Sequence, residues 1–306
     1  MSLPARPLAQ TPPQQFRWQL SYRPPFDWPG LLRFLGARML KGVEWVRDEE
    51  YLRTVRIGSH AGWLRIRHAP DRRALVIDLT RSLSQTLPAI LSRLCHLFDL
   101  RARPNLVAGH LMRGTLAEPV ARNPGLRVPG AFDGFELAIH AVLGPQITVK
   151  AATFLAGRLA DLYGEPIETA HPGLNRLSPT AERLAEAKIG ELAAVGLAAE
   201  RAESLIALAR AVAEERVSLE VGGDAEATVG CLLELPGIGR WTADYIAMRA
   251  LGCPDAFPHG DVALRNSLGG VTSTRAEELS QAWRPWRSYA TMHLWQDWAW
   301  NRNRRA

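Results

Sequence analysis

Cysteine is scarce in this chain, with three in 306 residues, at Cys95, Cys231 and Cys253. They are too few and too scattered for a disulfide framework, a four-cysteine zinc site or a four-thiolate iron–sulfur cluster. No apolar run approaches the roughly 20 residues of a membrane-spanning helix. Met1 to Gln15 is rich in Pro, Gln and Arg and lacks the apolar core of a signal peptide. A reducing cytoplasm is the expected compartment. Tryptophan is missing from a long central stretch: four lie at or before Trp63, none between there and Trp241, and six from Trp241 to Trp300. No repeat of fixed period stands out.

The remainder is ordinary for a globular protein of about two domains, with 47% hydrophobic and 22% charged residues. The net charge of +6 is uneven, being +10 over residues 1–150, −6 over 151–250 and +2 over 251–306. A basic balance permits a polyanionic partner without demonstrating one.

Residues 1–15 read as a flexible tail. Phe16 to Tyr22 alternates apolar and polar residues as a half-buried strand does. Asp27, followed by Trp28 and Pro29, reads as the cap of a helix carrying Leu31, Leu32, Phe34 and Leu35. Strand patterns follow at Tyr51 to Ile57, Trp63 to His68 and Leu75 to Leu79, then a helix from about Ser84 to Phe98. This order predicts an α+β unit over 16–103, a small antiparallel sheet with helices on one face. From Pro104 onward, residues 104–306, only helical periodicity remains, and an all-α region of two helical subdomains is expected. Gly114 to Gly130, with three Pro and three Gly, reads as an extended connection. Ser178-Pro179 and Thr274-Arg-Ala-Glu277 read as helix starts.

The most informative segment is Leu235-Pro-Gly-Ile-Gly-Arg-Trp-Thr-Ala243, set between two helical patterns. Gly237 and Gly239 around Ile238 permit a tight hairpin with unusual φ angles and bare backbone amides. The helix opening at Arg240, Trp241 and Thr242 points its N-terminal amides and positive dipole end the same way, as a phosphate cradle does. A ligand-free helical turn fits Gly-Ile-Gly equally well. Twenty residues after Trp241 comes Phe257-Pro-His-Gly-Asp261-Val. Taken alone, Asp261 reads as an N-cap.

Hairpin and aspartate together resemble the signature of the helix–hairpin–helix DNA glycosylase superfamily, and more narrowly that of the 3-methyladenine DNA glycosylase II family. Tyr22-Arg-Pro-Pro-Phe-Asp-Trp28, Leu97-Phe-Asp-Leu100, Leu126-Arg-Val-Pro-Gly130 with Phe135-Glu-Leu, and Trp283-Arg-Pro-Trp-Arg-Ser-Tyr289 extend the resemblance over nearly the whole chain.

The resemblance implies hydrolysis of the N-glycosidic bond of alkylated purines flipped out of duplex DNA, in the bacterial cytoplasm at the nucleoid. Asp261 is the catalytic carboxylate it implies, stabilising the sugar's developing positive charge and orienting water. Trp241, Tyr245 and Trp295 fall at the base pocket. Trp241 and Tyr245 are also i and i+4 on one helix, hence on one face. Gly237, Ile238, Gly239, Arg240 and Thr242 would bind the DNA backbone. Pro145 and Gln146 replace the family's usual glutamine and wedge side chain, which points to a shifted lesion range. Lyase relatives carry a lysine where Trp241 stands, so a monofunctional glycosylase is expected. No cofactor is implied beyond a monovalent cation, Na+ or K+, on the carbonyls of Leu233, Leu235 and Ile238. Double-stranded damaged DNA is the expected partner and a monomer the expected state. A glycosylase for deaminated or oxidised purines, and a non-catalytic helix–hairpin–helix DNA-binding protein, are the alternatives. Asp261 with its aromatic face counts against the second, because a backbone binder needs neither.

Overall fold

The computed structural model describes residues 5–7 and 15–305. Most of the N-terminal stretch read as a tail lies outside the described residues. Its described parts are strand rather than tail: Ala5–Pro7 forms β1 and pairs antiparallel with β2, Gln15–Ser21, which takes in Gln15. After β2 come helix α1 (Trp28–Gly36), β3 (Glu44–Arg47), β4 (Glu50–Ile57), β5 (His60–Ala69), β6 (Ala74–Thr80) and α2 (Leu87–Leu97). The sheet has the order β1-β2-β6-β5-β4-β3 with every neighbouring pair antiparallel. β3 is absent from the sequence reading because Glu44-Trp-Val-Arg47 carries a charge at each end. The reversal into β4 is turned by Asp48 and Glu49, both in the left-handed region at φ 50° and 62°, the twist that two-residue hairpins favour.

One face of this sheet is apolar and is covered by α1 and α2. Trp28, Leu31, Leu35, Ile90, Leu94 and Leu97 meet Tyr51, Leu64, Ile66, Leu75, Ile77 and Leu79 in a single cluster. Burying each such side chain is worth about 1.5–3 kcal/mol. Asp27 caps α1 by accepting from the Gly30 amide at 2.8 Å. Toward the other face, Leu52 and Trp63 pack on Leu174, and Thr54 Oγ1 donates to the Arg176 carbonyl at 2.6 Å, so a returning loop of the helical region seals the sheet.

The helical region comprises α3 (Pro104–Leu111), α4 (Ala117–Arg122), α5 (Gly134–Leu143), α6 (Val149–Tyr163), α7 (Ala181–Ala185), α8 (Ile189–Ala194), α9 (Ala199–Ala213), α10 (Ala225–Leu233), α11 (Arg240–Arg249), α12 (Val262–Ser267), α13 (Ser273–Ser280) and α14 (Arg287–Arg305). α4 lies inside the stretch read as an extended connection. Pro119 belongs to its first turn, where the missing amide costs nothing. Two helix starts also differ from the sequence reading. Thr180 rather than Ser178 caps α7, and Thr272 rather than Thr274 caps α13, each hydroxyl accepting from the amide three residues on. Among the described residues no helix is long and apolar enough to cross a membrane.

Two helical cores result. One gathers α5 to α10 and takes Ala243, Tyr245 and Ile246 from α11. The other gathers α3, α4, α12, α13 and α14 and takes Ala247 and Met248 from α11. α11 is thus the shared wall, and the cleft between the two cores opens along it.

Candidate active site

A cavity of about 640 Å³ occupies this cleft, walled by residues of α5, α11, α12 and α14 and closed below by Arg38, Glu44 and Arg53 of the N-terminal domain. That volume suits a small ligand. Asp261 lies on its rim. The carboxylate does cap α12, accepting from the Leu264 amide at 2.9 Å. It also accepts from two indoles, Trp241 Nε1 at 3.0 Å and Trp295 Nε1 at 2.9 Å. Three donors on two oxygens leave a lone pair for the cavity. Capping and site chemistry are one arrangement: the dipole of α12 and the two N–H groups fix an anion whose rotamer is held from three sides.

The aromatic wall comes from α11 and α14. Trp241 and Tyr245 stack with ring centroids 5.2 Å apart and planes 16° apart, as their i, i+4 spacing allows. Trp295 closes the corner 6.1 Å from Tyr245. Sequence reasoning missed the residue that anchors this wall, Arg249. Buried at 4% exposure, it donates to Tyr245 Oη at 2.7 Å and to the carbonyls of Pro129 and Gly130 at 2.7 and 3.0 Å. Its signal was present, since Arg249 continues the Trp241, Tyr245 face by one more turn. Burial pushes the Tyr245 phenol upward, but the Arg249 and Arg38 guanidiniums outweigh it and hold the group below the ordinary tyrosine range.

The hairpin joining α10 to α11 has the conformation its glycines suggest. Gly237 takes φ +73°, and a Cβ there would come within 2.0 Å of Ser204 Oγ, so only glycine fits. Ile238 is buried at 5% exposure and pins the turn into the core. Pro236, Gly237, Gly239 and Arg240 remain exposed, and no side chain caps α11. Its leading amides, which have no partner inside the helix, are therefore open to a ligand from outside. Arg240 is tied to Asp244 by Nε at 3.0 Å to each oxygen while its side chain stays 60% exposed. Thr242 is buried at 3%, so its side chain is withdrawn from the surface and only its backbone amide is left for a ligand at this helix start. The Leu235 carbonyl accepts from the Ile238 amide at 3.2 Å, which uses one of its two lone pairs.

Gly144, Pro145 and Gln146 line the same cavity as Asp261. The Pro145 carbonyl is held by Arg201 Nη2 at 2.8 Å. Gln146 stands exposed in the left-handed region at φ 63°, a conformation uncommon for a non-glycine residue. His259 points away from Asp261, its Nδ1 lying 3.7 Å from Glu277 and 4.0 Å from Asp244. His293 is a buried core residue whose pKa burial presses down to about 4. Neither histidine lines the cavity with Asp261.

The sequence showed no sign of a polar floor. Arg53 Nη2 donates to Glu136 Oε2 at 2.9 Å, Tyr51 Oη donates to Glu44, and the Leu40 amide donates to Glu44 at 2.9 Å. Burial pushes the Glu136 carboxyl above its usual range, against the pull of Arg53. Arg53 and Glu136 stand 83 residues apart in the chain, so no local pattern announces their pairing, whereas Glu44 finds its partners seven and four residues away.

Two family models match the chain. The AlkA N-terminal domain covers residues 17–133, and the HhH-GPD superfamily base excision DNA repair protein covers 139–288. Over 285 residues, 92% of this chain and 98% of the relative, it is 37% identical to DNA-3-methyladenine glycosylase 2 of Escherichia coli strain K12. The chain belongs to the 3-methyladenine DNA glycosylase II family. It is a DNA-binding glycosylase, a hydrolase of base excision repair. It is also 40% identical to a probable bifunctional transcriptional activator/DNA repair enzyme AlkA of Mycobacterium tuberculosis, over 90% of this chain and 56% of that longer protein. Among solved structures, a 3-methyladenine DNA glycosylase from Archaeoglobus fulgidus superposes with a TM-score of 0.79 at 20% identity, covering 93% of this chain and 99% of that one. An 8-oxoguanine glycosylase/lyase of Clostridium acetobutylicum bound to DNA superposes at 0.74 with 14% identity, covering 99% and 100%. At such identities the likeness shows the fold, an α+β sheet domain followed by a helix–hairpin–helix core.

Proposed function

We propose that this glycosylase removes alkylated purines of the 3-methyladenine and 7-methylguanine type from duplex DNA, acting on a base flipped into the cavity and leaving an abasic site. The observation that carries this is Asp261, fixed by two indole N–H groups at the edge of an aromatic-walled cavity. A purine methylated at N3 or N7 is cationic and already a good leaving group. The enzyme needs to hold it, stabilise the positive charge growing at C1′ and admit water. The stacked Trp241, Tyr245 and Trp295 suit an electron-poor cation. The lone pair of Asp261 that faces the cavity supplies the electrostatic stabilisation and orients the water.

Flipping costs a few kcal/mol, less at a damaged pair. Gln146, exposed and lining the same cavity, would fill the gap left in the stack, with Pro145 shaping the turn before it. The exposed amides around Gly237, Gly239 and Arg240 bind a phosphate without reading sequence. The carbonyls of Leu233, Leu235 and Ile238 are the groups that would hold a monovalent cation there. Hydrolysis without strand cleavage follows from the absence of an amine, since no lysine lines the cavity among the described residues and Trp241 cannot form a Schiff base. We take the enzyme to act as a monomer at the nucleoid in the cytoplasm.

The test is incubation of purified protein with methylated duplex DNA and chromatography of the released bases. Free 3-methyladenine and 7-methylguanine with an intact strand are expected. No release from any damaged duplex would favour a DNA-binding role alone, and nicking without added heat or base would contradict the monofunctional mechanism.

A further inference from the structure

The loop that carries Gln146 is a four-residue turn. The Gly144 carbonyl accepts from the Ile147 amide at 3.4 Å, Pro145 and Gln146 stand at the centre, and Gln146 takes φ 63°. A turn with proline at its second position and a positive φ at its third is type II. That geometry favours glycine or asparagine at the third position, whereas Pro-Gln suits the commoner type I. The local sequence works against the conformation found, so a group outside the turn has to hold it.

Types I and II differ by rotation of the peptide plane between the two central residues, which reverses its carbonyl. Here that carbonyl belongs to Pro145, and it accepts from Arg201 Nη2 at 2.8 Å. Among the described residues this is the one side-chain hydrogen bond to residues 144–147. The ends of the turn are fixed separately. Ile147 packs on the helical core, and a Cβ on Gly144 would meet the Trp241 indole at 3.3 and 3.5 Å. The central peptide is the part left to rotate, and Arg201 holds it. Arg201 stands, half-buried, in the first turn of α9. Ser204, three residues on, is the group against which Gly237 of the hairpin packs. One helix therefore fastens both the turn and the hairpin, which keeps Gln146 at a set spacing from the phosphate cradle.

We propose that Arg201 is a positioning residue for base flipping: its hydrogen bond to the Pro145 carbonyl locks the type II turn and so presents Gln146 to the duplex. This rests on the reading of Gln146 as the group that fills the vacated stack, and deepens it. Without the bond the central peptide rotates, Gln146 returns to the negative φ that its side chain prefers, and its side chain leaves the place from which it would enter the stack.

The test compares single-turnover release of 7-methylguanine from two duplexes, one with the lesion paired to cytosine and one with it opposite a mismatch. Gln146→Ala is run alongside to set the scale. Arg201→Met should lower release from the paired duplex about tenfold, the scale of one hydrogen bond from a charged donor. Release from the mismatched duplex should fall much less, because flipping is cheaper there. Adding Gln146→Asn to Arg201→Met should bring the paired rate to within about threefold of Gln146→Asn alone, since asparagine accepts the left-handed region without help. Three results each overturn the proposal: a paired rate for Arg201→Met equal to wild type while Gln146→Ala is slow, an equal fall on both duplexes, or no recovery from Gln146→Asn. Should Arg201→Met fail to fold, Arg201→Ala is put through the same comparison. A Gln146→Ala variant as fast as wild type on the paired lesion would instead sink the reading of Gln146 beneath the proposal. Absence of release by the wild type would sink the alkylpurine reading itself.

Discussion

Replacing Asp261 by Asn probes the mechanism with little structural disturbance. The amide oxygen can still accept from the Leu264 amide and Trp295 Nε1, both now 2.9 Å from Oδ1. The new NH2 group replaces Oδ2, which today accepts from Trp241 Nε1 at 3.0 Å. One hydrogen bond is lost and two donors face each other, a cost of about 1–2 kcal/mol in stability. The catalytic loss is larger. A unit charge about 4 Å from the developing oxocarbenium is worth about 4 kcal/mol at an effective dielectric of about 20, so release should fall by about 10³-fold. The assay is single-turnover release of 7-methylguanine under saturating enzyme, with duplex affinity measured in parallel. Affinity should hold within a few-fold while the rate collapses. A variant that released base within threefold of wild type would refute the electrostatic role. Equal loss of rate and affinity would mean that Asp261 only holds the pocket together.

Further expectations follow from the same geometry. Gly237→Ala meets Ser204 Oγ and a φ of +73°; it should weaken binding of undamaged duplex at least fivefold and lower the melting temperature, and unchanged affinity would remove the hairpin from the DNA interface. Gln146→Ala deletes the exposed loop tip; release from a stably paired lesion should fall about tenfold but much less from the same lesion opposite a mismatch, where flipping is cheaper. A pH effect on stability is expected from His293, whose folded pKa of about 4 lies below the unfolded value of 6.5. Its contribution is complete above pH 6.5 and is lost as pH falls toward 4, because the unfolded chain takes up the proton first. Between pH 7 and pH 5 this amounts to about 2 kcal/mol. In urea titrations at the two pH values, His293→Phe should lose that much less stability than wild type over the interval, and an identical loss would show that His293 does not titrate as its burial requires.

How much of this was legible in advance depends on how local each feature is. Gly237, Ile238 and Gly239 announced their turn because glycine at that φ and an apolar anchor between are requirements of the hairpin itself. Trp241 and Tyr245 could be placed on one face because helical spacing is a local rule. Trp295 was named from resemblance alone, and its bond to Asp261 spans 34 residues of chain. β3 and α4 were missed for lack of periodicity: a four-residue strand with charged ends and a six-residue helix with Pro119 in its first turn are too short to show one. Thr242 belonged to the hairpin by position, but its side chain turned inward because α11 is packed from both sides.

Within a segment, the sequence alone determined the alternation of strands and helices, the α11 face and the hairpin that opens it. These depend on backbone dihedrals and on side chains three or four residues apart. The candidate catalytic assembly was decided only by tertiary structure. Asp261 taken alone is an N-cap; it becomes a held carboxylate because α14 brings Trp295 to one oxygen and α11 brings Trp241 to the other. The floor under it joins Arg38 and Arg53 of the sheet domain to Glu136 and His140 of α5. The hydrophobic cores that press these elements together carry no directional chemistry of their own, yet they bring into one cavity groups that no spacing in the chain predicts.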